Sequence, residues 1–226
     1  MRFITNSSVS TREKHAQKIK NALNLSFDIE FEQVITASFV AACYLRKQLS
    51  AGCSILVFGL EGIKLELEAV GFKVTSEYNS DNKYGAVVVG MDPNFTYNSI
   101  TEALKVFKHD SDALLIGCNL DATFVGEGGQ VFPGTGSLVK AVSHATGRDP
   151  IVMGKPNNYI YSALIDSCPE FDPSEAIFIG DRLDSDIAFA NLNGIFSVLV
   201  ETGVHKRSDV KEIVPSRIIS NLTELL

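Results

Sequence analysis

The sequence predicts an α/β protein built around parallel β-sheet. Short runs rich in β-branched residues alternate with amphipathic stretches of helical period along the whole chain, and turn residues separate them. Of the 226 residues, 45% are hydrophobic and 21% are charged, which provides enough apolar material for a sizeable core. The chain therefore suits one large domain or two small ones.

The chain opens with two predicted strands and a helix between them. We predict strands at residues 3–5 and 34–36, where β-branched and aromatic residues cluster. Ser10 and Glu13 have the spacing of a capping box, which predicts that the first helix begins there. A second helix is predicted at residues 39–49.

A break at residues 50–52 precedes a second α/β series, which we interpret as an inserted domain. Its predicted strands are residues 54–58, 73–75, 86–89 and 113–116, and its predicted helices are residues 62–69, 100–108 and 136–145. Residues 146–150 have the composition of a linker. We therefore predict a discontinuous core domain of residues 1–50 and 150–226, interrupted by an insertion of residues 51–149.

The core is completed by strands near residue 151 and at residues 176–179 and 196–200, with an edge at 217–219. We interpret residues 176–179 as a buried strand, which is followed at once by Asp181, Asp184 and Asp186. Carboxylates crowded at the end of a parallel strand repel one another, and they favour a hard cation such as Mg²⁺. The alternative is that Asp184 or Ser185 caps a helix at residues 186–192.

Three other polar side chains lie where a phosphate group could bind. Thr5 and Asn6 follow the first strand, and Lys155 precedes a predicted helix that has Pro156 at its first position. Because the positive end of a helix dipole repels an ammonium group, a lysine there is favourable when an anion lies between them. The alternative is that Thr5 and Asn6 lie in an ordinary polar turn, and that Lys155 is an exposed lysine in a turn.

Asn119 and Asp121 follow a strand of the inserted domain. They form either a substrate-binding loop or an Asx turn, because asparagine and aspartate side chains bind nearby backbone in both. The sequence Gly134-Thr135-Gly136 lacks the third glycine of a dinucleotide fingerprint and the lysine of a P-loop. We therefore exclude those two nucleotide sites.

Composition and charge exclude several classes of protein. The net charge of −7, without a basic run, argues against a nucleic-acid-binding protein. No apolar run approaches the roughly 20 residues that span a bilayer, which argues against a membrane protein. The four cysteines are widely spaced, as in a cytoplasmic protein with reduced thiols, and the four histidines are interpreted as surface or packing residues.

Together these motifs resemble the haloacid dehalogenase (HAD) superfamily of phosphatases, in its NagD-like or 4-nitrophenylphosphatase branch. The motifs are Phe3-Ile4-Thr5-Asn6, Asn119-x-Asp121-Ala122-Thr123-Phe124, Pro133-Gly134-Thr135-Gly136, Gly154-Lys155-Pro156 and Gly180-Asp181-Arg182-Leu183-Asp184. The resemblance implies a Rossmannoid parallel-sheet core with an inserted α/β cap domain. It also implies Mg²⁺-dependent hydrolysis of phosphomonoesters.

The resemblance assigns a role to each candidate residue. Thr5 and Asn6 would bind the phosphoryl group and Lys155 would neutralise it, which makes Thr5 and Lys155 the expected catalytic residues present. Asp181 would ligate Mg²⁺, and Asp186 would support the metal or its waters. Asn119 and Asp121 would belong to the cap loop that selects a small phosphorylated substrate.

The nucleophile motif of that family, an Asp-x-Asp-Gly before the threonine motif, has no counterpart in these 226 residues. Asp110-Ser111-Asp112 has the spacing but precedes a strand of the insertion. We therefore expect the first, central strand of the core to be missing, the Mg²⁺ site to be weakened and catalysis to be impaired. We also expect the neighbouring strands to close up, or a second copy to supply a strand in a homodimer.

Three hypotheses about function follow. The first is that the chain is a working Mg²⁺-dependent phosphatase. The second is that it is a non-catalytic relic that binds phosphate, metal or a partner protein. The third is that it is an unrelated α/β binding protein whose motif matches arose by chance.

Overall fold

The computed structural model describes residues 1–225, apart from the side chains of residues 125 and 127. The chain forms two compact units, one of residues Met1–Gly154 and one that begins at Lys155. All strand pairs in these residues are parallel, except those of one short hairpin, and helices connect the strands. The predicted α/β class is confirmed.

The first unit begins with a two-stranded parallel sheet. Strand β1, Phe3–Thr5, leads through helix α1, Arg12–Ala22, to strand β2, Val34–Thr36. The strands pair in register, so that Thr5 lies opposite Thr36. Helix α2, Ala37–Gln48, starts directly after β2. Both strand predictions are confirmed. They succeed because these runs consist of residues that favour extended backbone.

Helix α1 begins one residue later than its predicted cap. Thr11 is the N-cap, and its side-chain oxygen accepts a hydrogen bond from the Lys14 amide at 3.4 Å. The predicted capping box of Ser10 and Glu13 is therefore wrong. Both residues at the boundary are good caps, so the residue chosen depends on how the chain enters the helix.

The remainder of the first unit is a five-stranded parallel sheet and a hairpin. In chain order the elements are β3 Ser54–Phe58, α3 Glu61–Ala69, β4 Lys73–Thr75, β5 Tyr84–Val89, α4 Tyr97–His109, β6 Leu114–Gly117, β7 Thr123–Val125, β8 Val131–Pro133, α5 Thr135–Thr146 and β9 Ile151–Val152. The sheet order is β4-β3-β5-β6-β9, and β7 and β8 form the antiparallel hairpin. All five residues of β3 are buried, as expected for a central strand of a parallel sheet.

Strand β9 does not pair as predicted. The sequence placed a strand near residue 151 with the core strands, but Ile151 pairs with Ile116 of β6. The short connection after α5 returns the chain beside β6, so this assignment is wrong. The division into a core of residues 1–50 and 150–226 and an insertion of residues 51–149 stays a prediction.

The second unit contains a three-stranded parallel sheet of order β10-β11-β12. Its elements are α6 Asn158–Ser167, β10 Ile177–Gly180, a π-helical turn at Leu183–Ile187, α7 Ala188–Leu192, β11 Phe196–Val200 and β12 Arg217–Ile219. The strands match the predicted runs. Helix α6 has Asn157 as its N-cap, so Pro156 lies before the helix and the prediction that it occupies the first helical position is wrong.

The prediction that β10 is buried is also wrong. The side chains of Ile177 and Ile179 are 63% and 41% exposed. The intervening Phe178 points the other way and packs against Phe189 of α7, with ring centroids 5.1 Å apart. Since successive side chains of a strand alternate between faces, only one face of β10 is covered.

Strands β1 and β10, the predicted neighbours of the missing strand, each pair on one side only among the described residues. Within residues 1–225, β1 pairs with β2 alone and β10 pairs with β11 alone. Because β1 and β10 belong to different units, the expectation that they close up stays a prediction. The expected homodimer stays a prediction that sedimentation velocity can test. No helix in the described part of the chain has the length and hydropathy needed to cross a bilayer.

A buried tyrosine connects β5 to the loop before it. Tyr84 is 2% exposed, and its hydroxyl oxygen accepts a hydrogen bond from the Asn79 amide at 3.0 Å. The same hydroxyl donates to the carbonyl of Glu77 at 3.1 Å. These contacts fix the loop between β4 and β5.

We predict that Tyr84→Phe lowers the free energy of unfolding by about 1–3 kcal/mol, because it leaves buried backbone groups without a partner. Tyr97→Phe is the matched control, since Tyr97 is 86% exposed. Urea unfolding followed by circular dichroism measures both changes. Equal effects of the two substitutions would contradict the structural role of the Tyr84 hydroxyl.

Candidate functional site

The polar loop after β1 is organised by its own side chains. The Thr5 hydroxyl oxygen accepts a hydrogen bond from the Ser7 amide at 3.1 Å, and the Ser7 hydroxyl accepts one from the Val9 amide at 3.3 Å. A hydroxyl that accepts one bond still carries a proton to donate. Thr5 is therefore held in a fixed position with its donor available.

A serine that the sequence analysis did not select anchors this loop. Ser8 is 1% exposed, and its hydroxyl accepts a hydrogen bond from the Met91 amide at 3.1 Å, just after β5. The carbonyl of Val9 accepts a bond from Gly62 in the first turn of α3 at 3.2 Å. Nothing in the sequence marks Ser8 among several polar loop residues, because its partner is 83 residues away.

The structure brings the two predicted polar motifs of the first unit together. Asn119 is 5% exposed and donates from its amide to the carbonyl of Asn6 at 2.8 Å. The Asn6 amide also lies 3.4 and 3.5 Å from the two carboxylate oxygens of Asp121. Asn6, Asn119 and Asp121 therefore form one polar cluster from segments more than 110 residues apart.

The loop of Asn119 and Asp121 contains the Asx turn that was one of its two interpretations. The Asn119 side-chain oxygen accepts from the Asp121 amide at 3.0 Å. The chain then forms a short hairpin of strands β7 and β8, beginning at Thr123, where the sequence predicted only a loop. A role of these residues in selecting substrate stays a prediction.

The end of the first unit approaches this cluster closely. A Cβ atom on Gly154 would lie 2.6 Å from the side-chain oxygen of Asn6 and 2.7 Å from the carbonyl oxygen of Cys118. Both distances are too short for any side chain, so glycine is required there. The neighbouring thiol is inert, because complete burial raises the pKa of Cys118 to about 12, against a smaller opposing effect of a hydrogen bond with Ser8.

Lys155 and Asp186 form a buried ion pair in the second unit. The Lys155 ammonium nitrogen lies 2.6 Å from one carboxylate oxygen of Asp186, and the two side chains are 7% and 9% exposed. The ammonium also lies 5.3 Å from the centroid of the Phe178 ring. The surroundings therefore compensate the buried positive charge of Lys155 by ionic and cation–π contacts.

The second oxygen of Asp186 organises the turn after β10. It accepts hydrogen bonds from the backbone amides of Asp181 and Arg182, both at 3.1 Å. A Cβ atom on Gly180 would lie 2.3 Å from the Cβ of Asp186, so only glycine allows this approach. Both carboxylate oxygens of Asp186 are therefore engaged within the protein.

Asp181 is held at one oxygen only. Its Oδ2 atom accepts a hydrogen bond from the Val204 amide at 2.9 Å, and its carbonyl accepts one from the His205 amide at 3.0 Å. No hydrogen bond to its Oδ1 atom is made by residues 1–225. Asp181 therefore has one carboxylate oxygen that can bind a cation.

Asp184 lies on the surface. Its carboxylate is 59% exposed and binds the Arg182 guanidinium through two contacts of 3.2 and 3.1 Å. The alternative in which Asp184 or Ser185 caps a helix at residues 186–192 is not observed, because a π-helical turn at Leu183–Ile187 precedes α7. The three aspartates thus have three different surroundings.

The described residues fit a Mg²⁺ site only in part. Nowhere in residues 1–225 do three or more histidine, cysteine, aspartate or glutamate side chains converge as metal ligands. Asp181 presents one carboxylate oxygen, whereas the oxygens of Asp186 bind Lys155 and two backbone amides. Mg²⁺ prefers six oxygen ligands at octahedral positions, so waters or other groups would have to supply most of them.

A histidine adjoining the acidic turn was not selected from the sequence. The Nδ1 atom of His205 accepts a hydrogen bond from the Leu183 amide at 3.1 Å. With the contact between its own amide and Asp181, His205 connects the turn after β10 to the loop after β11. The 22-residue separation carries no motif, so only the folded chain reveals this contact.

Family models match both ends of the chain. A model described as haloacid dehalogenase-like hydrolase matches residues 1–73, and one described as HAD-hydrolase-like matches residues 152–225. These segments contain Thr5, Asn6, Lys155, Asp181 and Asp186.

The chain is similar to several phosphatases along nearly all of its length. It is 33% identical to a glycerol-3-phosphate phosphatase of Gallus gallus, covering 99% of this chain and 79% of the relative. It is 31% identical to phosphoglycolate phosphatase 2 of Arabidopsis thaliana, with 99% and 80% covered. A solved structure of a glycerol phosphate phosphatase from Mycobacterium tuberculosis in complex with magnesium superimposes with a TM-score of 0.85 at 32% identity, covering 99% of this chain and 66% of that one.

Two of the three aspartates of the acidic turn provide a test of the buried ion pair. We predict that Asp186→Asn lowers the free energy of unfolding by about 3–5 kcal/mol, because it leaves the buried Lys155 ammonium without its counter-charge. Asp184→Asn, on the same turn, should cost no more than about 1 kcal/mol, because its contact with Arg182 is exposed.

Urea unfolding in phosphate-free buffer at neutral pH measures both variants. The double variant Lys155→Met with Asp186→Asn should recover part of the loss, since it removes both charges. An equal cost for Asp186→Asn and Asp184→Asn would contradict the assignment of the buried pair.

Proposed function

Because the chain belongs to the haloacid dehalogenase-like hydrolase family, we propose that it binds a small phosphomonoester at Thr5, Asn6 and Lys155, and that the 226-residue polypeptide hydrolyses it poorly. The observation that carries the proposal is the contact between the Thr5–Asn6 loop and the Asn119–Asp121 loop. These two motifs were identified separately in the sequence, and a phosphate-binding site requires such convergence of donors.

Neutral donors in the first unit suit a phosphate group. The Thr5 hydroxyl has its oxygen engaged by Ser7, so its proton can be donated to a ligand oxygen. The Asn6 amide lies beside Asp121, whose carboxylate orients it. Hydrogen bonds from such groups to an anion are stronger than bonds between neutral groups.

Lys155 would contribute the positive charge. Its ammonium carries a full positive charge and lies 2.6 Å from Asp186, and charge-assisted hydrogen bonds from such a group to phosphate oxygens are strong. In this proposal Asp186 holds Lys155 in place, and it acts as a positioning residue instead of a direct metal ligand. Asp181 would be the residue that binds Mg²⁺, which supplies charge stabilisation to a phosphoryl group when bound.

Weak catalysis is supported by the state of the Asp-x-Asp pairs. The chain has two, Asp110 with Asp112 and Asp184 with Asp186. Asp110 accepts a hydrogen bond from the Tyr84 amide at 3.0 Å, Asp184 binds Arg182, and Asp186 binds Lys155. Neither pair offers two unengaged carboxylates for nucleophilic attack and proton transfer, and Cys118 is protonated and buried.

The substrate class is inferred from the relatives. Glycerol-3-phosphate and phosphoglycolate, after which two of them are named, are both small phosphomonoesters. We propose a substrate of this class for the present chain. The hypotheses of a working phosphatase and of a non-catalytic relic both predict phosphate binding, and they differ in the turnover that they predict.

Turnover is tested with 4-nitrophenyl phosphate and Mg²⁺. We predict a rate at least about 10⁴-fold below the ordinary enzymatic range of about 1–10³ per second, because neither Asp-x-Asp pair within residues 1–225 offers two unengaged carboxylates. Asp181→Ala is assayed beside the wild type. If the wild type turns over substrate at a rate within the ordinary range, and Asp181→Ala abolishes that activity, the proposed impairment is contradicted and a working phosphatase is supported.

Binding is tested by calorimetric titration with inorganic phosphate. Thr5→Val removes one hydroxyl at almost constant volume and should weaken phosphate binding about tenfold or more, as expected for a lost hydrogen bond to a charged group. Thr101→Val on α4 is the control and should leave the affinity unchanged. Absence of phosphate binding by the wild type would overturn the proposed function.

A further inference from the structure

A cavity of about 550 Å³ lies in the first unit, and none of the residues proposed to bind phosphate lines it. It is lined by residues that follow three neighbouring strands, among them Gly59 after β3, Ser76 after β4 and Asp92 after β5. The N-terminal part of α4 forms a further wall through Asn98 and Ser99. The volume is in the range of cavities that bind small organic ligands.

The position of the cavity is the favourable one for a parallel sheet. The chain goes from β3 to β4 on one side and then crosses to β5 on the other side of β3. The order therefore reverses between β3 and β5, and the following loops diverge there. Crevices at the carboxyl ends of strands beside such a reversal are where open α/β sheets bind ligands.

The lining combines an apolar wall with carboxylates. Val57, Phe58, Leu60 and Leu65 supply the apolar surface. The same space is lined by one ammonium group, that of Lys64, and by five carboxylates. The carboxylates are those of Glu61, Glu68, Glu77, Asp92 and Glu102. A ligand of this cavity should therefore be positively charged and carry some hydrocarbon.

The carboxylates are spread around the cavity. No three acidic, histidine or cysteine side chains of residues 1–225 converge closely enough to hold a metal ion. Glu61 and Glu102 already bind Lys14 and Lys105. Glu68 and Glu77 have no ion-pair partner within the described residues. Carboxylates that are separated in this way suit a ligand with two separated positive charges better than they suit a single metal ion.

We propose that this cavity binds a small aliphatic diamine. The ammonium groups of such a ligand would contact carboxylates of Glu68, Glu77 and Asp92, while its methylene groups would pack on the wall that contains Phe58 and Leu65. This site uses none of the residues of the proposed phosphate site. Its existence does not depend on the proposed function.

The test is calorimetric titration of the 226-residue protein with putrescine at low ionic strength. We expect saturable binding at one site that weakens as salt is raised, since partly exposed charges are screened. 1,4-Butanediol, which has the same chain length without charge, should not bind. Equal binding of butanediol, or no binding of putrescine, would overturn the proposal.

Isosteric variants identify the site. Glu77→Gln with Asp92→Asn should weaken putrescine binding about tenfold, as expected for two partly exposed charge contacts. Asp149→Asn, an exposed aspartate of the same unit outside the cavity, should leave the affinity unchanged. Circular dichroism verifies folding, and Glu68→Gln provides a second variant should the double variant fail to fold.

Two outcomes would refute the assignment. One is an unchanged affinity in both cavity variants. The other is complete displacement of putrescine by an equal concentration of Mg²⁺, which would indicate a diffuse acidic surface and no diamine site.

Discussion

The arrangement of the polar side chains in the second unit depends on the buried carboxylate of Asp186. One oxygen binds the ammonium of Lys155, and the other binds the amides of Asp181 and Arg182. This single side chain therefore sets the turn after β10, the direction of Asp181 and the place of the lysine charge. Because either charge buried alone would cost several kcal/mol, the turn and the pair can form only together. The requirement for glycine at position 180 follows from the same close approach.

In the first unit, the loop after β1 is held mainly by hydrogen bonds between neutral groups. Ser7 engages Thr5, Asn119 engages the backbone of Asn6, and Ser8 attaches the loop to the end of β5. These bonds hold a loop of polar residues without placing a buried charge in it. Neutral donors thus predominate in this loop of the first unit, whereas ionised groups predominate in the acidic turn of the second unit.

Prediction from the sequence succeeded where the controlling interactions are local. The strands at residues 34–36, 73–75 and 196–200 have the predicted bounds, because β-branched runs favour extended backbone whatever surrounds them. It failed where distant groups decide, as with β9, which pairs with β6, and with Ile177 and Ile179, whose face of the sheet is uncovered. The N-cap of α1 shows a smaller failure, because Ser10 and Thr11 are both competent caps.

By itself, the sequence determined the α/β class, the family resemblance and the identities of the candidate residues, since these follow from short patterns of residue type. Only the tertiary structure decided the roles within the acidic turn. Asp181, Asp184 and Asp186 are chemically identical in the sequence, yet one has an oxygen available to a cation, one is an exposed partner of Arg182, and one is a buried partner of Lys155. The properties of a carboxylate depend on its burial and on its nearest donors, and those donors come from residues distant along the chain.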